Sequence, residues 1–267
     1  MAVRDTRRGG LGLGQTTNTR VGLMRVFDGV LYNGEADVLE CRLWELADTV
    51  DVMVIVEGDK TFTGKPRQRA DRERFARWSD LIHWVDFDTP RHHNPWTVEK
   101  ATRDQLLVEF DRLGCQADDV ITVSDVDEIW HPRMLDTFAQ CWHRAMMRNF
   151  AFSVHWERPL HYTMIGGTRG KAADSLDWMR RFDRINMPVA FGGFHLGWMG
   201  GVDWCVNKLT EFSHQEYNVG DTRTMIEACF AEGKFIDGEV MNQVELDADW
   251  PWWIRNDLHP ESWRVKR

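Results

Sequence analysis

The chain has 267 residues, 43% hydrophobic and 28% charged, enough for one large domain or two closely packed halves. A net charge of -9 and a pI near 5.6 argue against a nucleic-acid backbone as the main partner, which needs a basic footprint, and a phosphate-bearing ligand would need a metal to offset the local acidity. No stretch approaches the ~20 apolar residues of a membrane span, the N-terminus lacks a signal-peptide core, and the five cysteines are widely spaced without a C-x-x-C pair, so a soluble cytoplasmic protein with reduced, structural thiols is expected.

Residues 1 to about 20, rich in Gly, Arg and Thr without periodicity, read as a disordered tail, and residues 21–267 as one domain. Val26, Phe27, Val30 and Leu31 fit a first strand running into a loop at Asn33-Gly34. A helix follows, with Val38, Leu39, Leu43, Leu46 and Ala47 at helical spacing and Glu35 and Asp37 at the positive end of its dipole. Val52 to Val56 is a second buried strand, and it ends in the carboxylate of Glu57. Lys65 lies in the loop Thr61-Phe62-Thr63-Gly64-Lys65-Pro66, whose spacing is not that of a P-loop, and the arginines from Arg67 to Arg77 read as a solvated face. Leu81 to Phe87 reads as a third strand, and Val98 to Leu113 as an amphipathic helix capped by Thr97 and stopped by Gly114. The bland reading of Glu99 and Arg103, one turn apart, is a salt bridge. Strands alternating with helices predict an α/β fold built on a parallel twisted sheet with helices on both faces.

Asp118 to Glu128 is the most informative stretch. Val120, Ile121 and Val123 make a strand covered on both faces, and charge arrives only at its C-terminal end, in Asp125, Asp127 and Glu128. Open α/β sheets bind ligands at that end. Asp125 and Asp127 leave the same face of an extended backbone, so their repulsion must be offset. Two readings are open: a solvated acidic turn, or a divalent cation carrying a diphosphate.

Beyond it, Pro132 to about Met147 is predicted as a helix and Phe150 to Trp156 as a strand. Gly166 to Gly170 reads as a loop, either an anion nest or a plain flexible turn. Arg180, Arg181 and Arg184 cluster, and Phe191 to Gly201 is glycine-dense around His195 and Trp198, as suits close approach of backbone to a ligand. Asp203 to Phe212 reads as a helix with His214 and Glu216 just beyond it. The 14 tryptophans far outnumber the 3 tyrosines; most read as core, but Trp250, Trp252 and Trp253 around Pro251 are assigned a surface or groove role against sugar faces.

Several ordered blocks resemble glycosyltransferase family 17, the family of the bisecting β-1,4-N-acetylglucosaminyltransferase that acts on β-mannose of glycoproteins. They are Asn33 to Leu43, Val54 to Glu57 with Thr61 to Pro66, Ser124 to Ile129, Gly193 to Trp198, Lys208 to Tyr217, and Pro251-Trp252-Trp253 with Asn256. The resemblance implies a GT-A fold, Rossmann-like and mostly parallel, and transfer of a sugar, N-acetylglucosamine, from a UDP-sugar donor to a glycan or other hydroxyl. It implies Mn2+ or Mg2+ held by Asp127, with Asp125 beside the ribose or a metal-bound water and His214, ahead of His195, completing the metal shell. Glu57 is assigned to the nucleoside, Arg103 to its phosphates, and Lys65, His195 and Trp198 to the donor site. An inverting transfer needs a general base, for which Asp203 and Glu216 are candidates, Asp203 being equally a helix N-cap. A non-catalytic carbohydrate- or nucleotide-binding protein and a metal-dependent sugar nucleotidyltransferase are the competing readings.

Overall fold

A computed structural model describes residues 24–181, 186–218 and 220–264. The predicted tail and Arg184 lie outside the described residues.

The first half alternates strands and helices as its periodicity dictates: β1 (Val26–Tyr32), α1 (Ala36–Leu46), β2 (Val52–Gly58), β3 (Ile82–Phe87), α2 (Pro95–Arg112) and β4 (Val120–Asp125). β1 pairs in parallel with β2 on one side and β4 on the other, and β2 with β3. Successive side chains of these strands face opposite ways, so both faces need cover. Val26 and Val30 pack with Leu39, Leu43 and Leu46 of α1, whereas Phe27 and Leu31 pack with Leu106 and Phe110 of α2. α2 begins earlier than predicted, because the Asn94 side chain accepts from the Trp96 amide and Pro95 occupies the first turn, where its missing N–H costs nothing.

The second half adds β5 (Glu128–Trp130), α3 (Leu135–Gln140), β6 (His143–Ala151), β7 (Trp156–Thr168), α4 (Leu176–Arg181), β8 (Asn186–Trp198), α5 (Gly201–Glu211), α6 (Thr222–Glu232), β9 (Asn242–Gln243) and α7 (Trp252–Arg255). Among the described residues one mixed nine-stranded sheet results, in the order β3-β2-β1-β4-β7-β6-β8-β5 with β9 on β7. β4 meets β7 antiparallel, β7 meets β6 antiparallel, and β8 runs parallel to β6 and antiparallel to β5.

Four expectations change here. The strand predicted over Phe150 to Trp156 is instead the end of β6 and the start of β7, joined through a turn at residues 152–155. The helix predicted to reach Met147 stops at Gln140: Cys141 is extended, and the alternation of buried Ala145, Met147 and Asn149 with more exposed Arg144, Met146 and Arg148 makes His143–Ala151 a strand paired on both edges. The glycine-rich segments are mostly strand. Gly166 and Gly167 belong to β7, where a Cβ would stand 2.8 and 2.6 Å from the rings of Phe138 and Trp142, so they admit core side chains rather than an anion. Trp250 and Trp253 are buried, Trp250 packing on Phe150 at 4.3 Å and Phe194 at 5.3 Å, so they fill a core instead of lining a groove. All five cysteines are free thiols. Among the described residues no helix is long and apolar enough to cross a membrane.

Candidate active site at the end of β4

β1 is flanked by β2, which follows it in the chain, and by β4, reached after the chain has crossed back. The crevice at such a reversal is where open α/β sheets bind ligands. Leu31 and Asp125 are register partners at its C-terminal edge, and a cavity of about 480 Å3 opens there, a size suited to a small-molecule ligand. Its wall is assembled from Glu35 before α1, Trp96, Glu99 and Arg103 of α2, Asp125 to Glu128, Arg180 and Arg181 of α4, His195, Gly197 and Trp198 of β8, Lys208 of α5, and Phe212 and His214 just beyond it.

Asp127 and Glu128 are buried, Asp125 is part-exposed at the strand end, and each is met by cations. Asp125 accepts from Arg103 at 2.9 Å and from Arg180 at 3.0 Å. Burial alone would push its carboxyl up, yet Arg180 and Arg103 hold it below the usual carboxylate range. Arg103 also donates to Glu99 at 2.7 Å and Asp177 at 2.5 Å, while Arg180 grips both oxygens of Glu128. Burial pushes Glu128 up to about 7 against that pull. Asp127 accepts from Lys208 Nζ at 2.8 Å, and the same ammonium lies 3.5 Å from Glu35. Burial opposes ionisation of Asp127, but the Lys208 ammonium beside it keeps its pKa low.

Asp127 and His195 offer the donors expected of a divalent cation. β5 and β8 set Glu128 opposite His195, and the Leu196 amide donates to the Asp127 carbonyl at 2.8 Å, which brings the His195 ring to the carboxylate. His195 Nδ1 is hydrogen-bonded to Asn149 Oδ1 at 2.9 Å, which fixes the ring with Nε2 3.7 Å from Asp127 Oδ1; in the neutral ring an amide-oxygen acceptor at Nδ1 favours the tautomer whose Nε2 can bind a cation. A Cβ on Gly197 would fall 2.7 Å from His195 Nε2 and 3.2 Å from Asp127 Oδ2, so glycine keeps the space beside these two groups open. Among the described residues no group of three or more His, Cys, Asp or Glu is arranged to hold a metal. Two protein donors with the remaining positions left to phosphate oxygens and water suit magnesium or manganese, and on that ground the residues fit.

The other predicted residues divide. Arg103 and Trp198 line the cavity, Arg103 locked on carboxylates and Trp198 in the aromatic wall. His214 lines it too, but pairs with Glu216 and stands edge-on to Trp96, and among the described residues it makes no hydrogen bond with Asp127; the histidine beside Asp127 is His195. Glu57, Lys65, Asp203 and Glu216 do not line the cavity. Glu57 is wholly buried, accepting from the Ala70 amide at 2.6 Å with Arg67 and Arg72 within 3.6 Å, so it organises a segment predicted as a solvated face. Lys65 is exposed in its turn. Asp203 is 83% exposed and paired with Arg223, and Glu216 is 55% exposed, because the first turn of α5 and the turn after it face outward. Lys208 went unassigned although its signal was legible: Cys205, Leu209 and Phe212 surround it at helical spacing, so it sits on the apolar face of α5.

Aromatic rings continue around the cavity. From Trp96 to His214 the centroids are 4.4 Å apart, from His214 to Phe212 5.0 Å, from Phe212 to Trp198 6.0 Å and from Trp198 to Phe235 5.4 Å. Beyond Phe235, Arg158 and Asp237 form an ion pair at 2.8 Å on the same wall.

Residues 12–222 match the model of glycosyltransferase family 17. The human β-1,4-mannosyl-glycoprotein 4-β-N-acetylglucosaminyltransferase is 31% identical over 115 residues, 39% of this chain and 22% of that protein. The rat and mouse proteins of the same name are 31% and 30% identical over the same length, each match spanning 21% of the relative. The apo-form structure of the glycosyltransferase GlyE from Streptococcus pneumoniae TIGR4 aligns over 84% of this chain and 45% of that one at 13% identity and a TM-score of 0.29, too loose a superposition to carry weight.

Proposed function

Because this chain belongs to glycosyltransferase family 17, we propose that it moves N-acetylglucosamine from UDP-N-acetylglucosamine to a hydroxyl of a glycan acceptor, with inversion at the anomeric carbon. The observation that carries this reading is the pairing of Asp127 with His195 beside Gly197, inside a cavity at the C-terminal ends of β1 and β4. The donor sugar is taken from the named relatives, and the nucleotide diphosphate is supported by a cavity in which a pair suited to a cation lies with arginines and a lysine.

In the transfer, the bond between the anomeric carbon and the diphosphate oxygen breaks and its electron pair leaves with the diphosphate. The acceptor oxygen bonds to the opposite face of that carbon and gives up its proton to a carboxylate. Asp127 and His195 would hold the divalent ion, Mn2+ or Mg2+, whose chemistry when bound is to supply positive charge where the diphosphate gains negative charge. Arg103 and Arg180 hold Asp125 ionised and fixed at the strand end. The aromatic wall from Trp96 to Phe235 offers flat faces for a sugar ring or a base. Glu35 and Asp237 line the cavity, which supports either carboxylate as the group that would take the acceptor proton.

The test is incubation of the purified protein with UDP-N-acetylglucosamine, Mn2+ and candidate glycans, followed by product analysis. UDP release with transfer to a glycan is expected, and Asp127→Asn should lose it while remaining folded. Release of pyrophosphate instead would identify a sugar nucleotidyltransferase, and absence of turnover across a panel of nucleotide sugars would overturn the reading.

A further inference from the structure

Lys208 presents a problem of charge. Its side chain is 9% exposed and its ammonium lies between two buried carboxylates, 2.8 Å from Asp127 Oδ2 and 3.5 Å from Glu35 Oε1. A lysine is costly to bury and needs the partner it holds. Yet Asp127 is also the carboxylate that shares an opening with His195, on which a divalent ion fits. An ion on Asp127 and an ammonium on the same carboxylate repel at a distance where little water screens them.

We propose that Lys208 and the divalent ion are alternative partners of Asp127: the ammonium neutralises the carboxylate in the empty site, and loading of the ion releases it onto the donor diphosphate. The side chain suits that exchange. Lys208 emerges from the last turn of α5, lines the cavity itself, and carries its charge on a flexible four-carbon stem, unlike the arginines locked on Asp125. Glu35 stands within reach of the ammonium, so the lysine keeps a partial counter-charge as it moves. One residue thus protects the site against an unpaired buried carboxylate and supplies a phosphate-binding cation only after the ion is in place. This inference rests on the diphosphate-donor reading above, but its first step concerns the ion alone.

The test measures two affinities by calorimetry, in wild type and in Lys208→Met: that for Mn2+ without nucleotide, and that for UDP at saturating Mn2+. With the competitor removed, Mn2+ should bind roughly 10-fold more tightly to the variant. UDP should bind it roughly 10- to 100-fold more weakly, the size of one charge-assisted hydrogen bond. A lysine that only supports the fold would lower both affinities together. Lys208→Gln, which keeps a donor for Asp127 without the charge, provides the same comparison if Lys208→Met melts below working temperature. Mn2+ affinity that is unchanged or lower in the variants, or absent from every form of the protein, overturns the exchange. Tighter Mn2+ binding in the variants, with no UDP binding to wild type under any condition, supports the competition at Asp127 while overturning the donor reading and the second half of the proposal.

Discussion

Arg42 of α1 and Asp28 of β1 form a fully buried, two-pronged ion pair, Nη2 to Oδ1 at 2.6 Å and Nε to Oδ2 at 2.7 Å. Arg42 also donates to the Glu128 carbonyl at 2.8 Å and to Ser124 Oγ at 2.8 Å, while Asp28 accepts from Thr122 at 2.5 Å and from the Trp130 indole at 3.1 Å. The pair therefore sits under the turn that carries Asp125 and Asp127 and ties β1, α1, β4 and β5 to it. Removing one member leaves a buried charge without its partner, which costs about 3–5 kcal/mol. Arg42→Met should lower unfolding free energy by about that amount in urea melts. A change under about 1 kcal/mol would mean that the pair contributes little to holding the turn.

That clamp also shows what the sequence could and could not reveal. Strands β1 to β4 were legible because apolar runs and helical periodicity alternate cleanly, and the end of β4 was legible as a site because charge appears there and nowhere earlier in the strand. Asp28 interrupts the apolar run of β1, and an aspartate among Phe27, Val30 and Leu31 is itself a sign of a buried partner, but nothing local says that the partner is Arg42. The segment from Pro132 to Met147 was misread because its helical start runs straight into a period-two strand. His195, not His214, reached Asp127 because β8 pairs with β5, a contact between residues far apart in the chain that no local pattern encodes.

The positions of Asp203 and Glu216 lead to a negative expectation. Both side chains are mostly exposed, paired with Arg223 and His214, and outside the cavity. Asp203→Asn and Glu216→Gln should keep kcat within about twofold, since surface substitutions away from a site have small effects. A loss of a hundredfold or more in either would return it to the role of general base and would require α5, for Asp203, or the turn beyond it, for Glu216, to move inward during turnover.

Trp250 and Trp96 should behave as opposites. Trp250 is buried against Phe150 and Phe194, so Trp250→Ala should cost about 3–5 kcal/mol of stability, read in urea melts at a temperature where the variant is folded. Trp96 lies on the cavity wall against His214 and under the Arg181 guanidinium. Trp96→Ala should leave the melting temperature nearly unchanged and raise the KM for donor or acceptor by about 10-fold, the value of one stacking contact. Equal melting shifts in the two variants would contradict this division.

Gly197 is required by closeness. A methyl there would meet His195 Nε2 at 2.7 Å and Asp127 Oδ2 at 3.2 Å, filling the opening between them. Gly197→Ala should therefore fold and lose Mn2+ binding, measured by calorimetry without nucleotide. Unaltered Mn2+ affinity would show that the ion, if it binds, sits elsewhere.

Asn149 is the remaining test, because it acts on the site only through His195. Its side chain is buried in β6 and its Oδ1 holds His195 Nδ1 at 2.9 Å, which favours the tautomer whose Nε2, on the Asp127 side, can bind a cation. Without that acceptor the ring can turn or carry its proton on Nε2, and a protonated nitrogen cannot bind a cation. Partners of this kind typically cost 10- to 100-fold in metal affinity when removed. Asn149→Ala should thus weaken Mn2+ binding by about that factor, whereas Asn149→Asp, which keeps an acceptor at the same position, should restore most of it. If both variants bind Mn2+ like wild type, the imidazole is not a ligand, and Asp127 holds the ion without it.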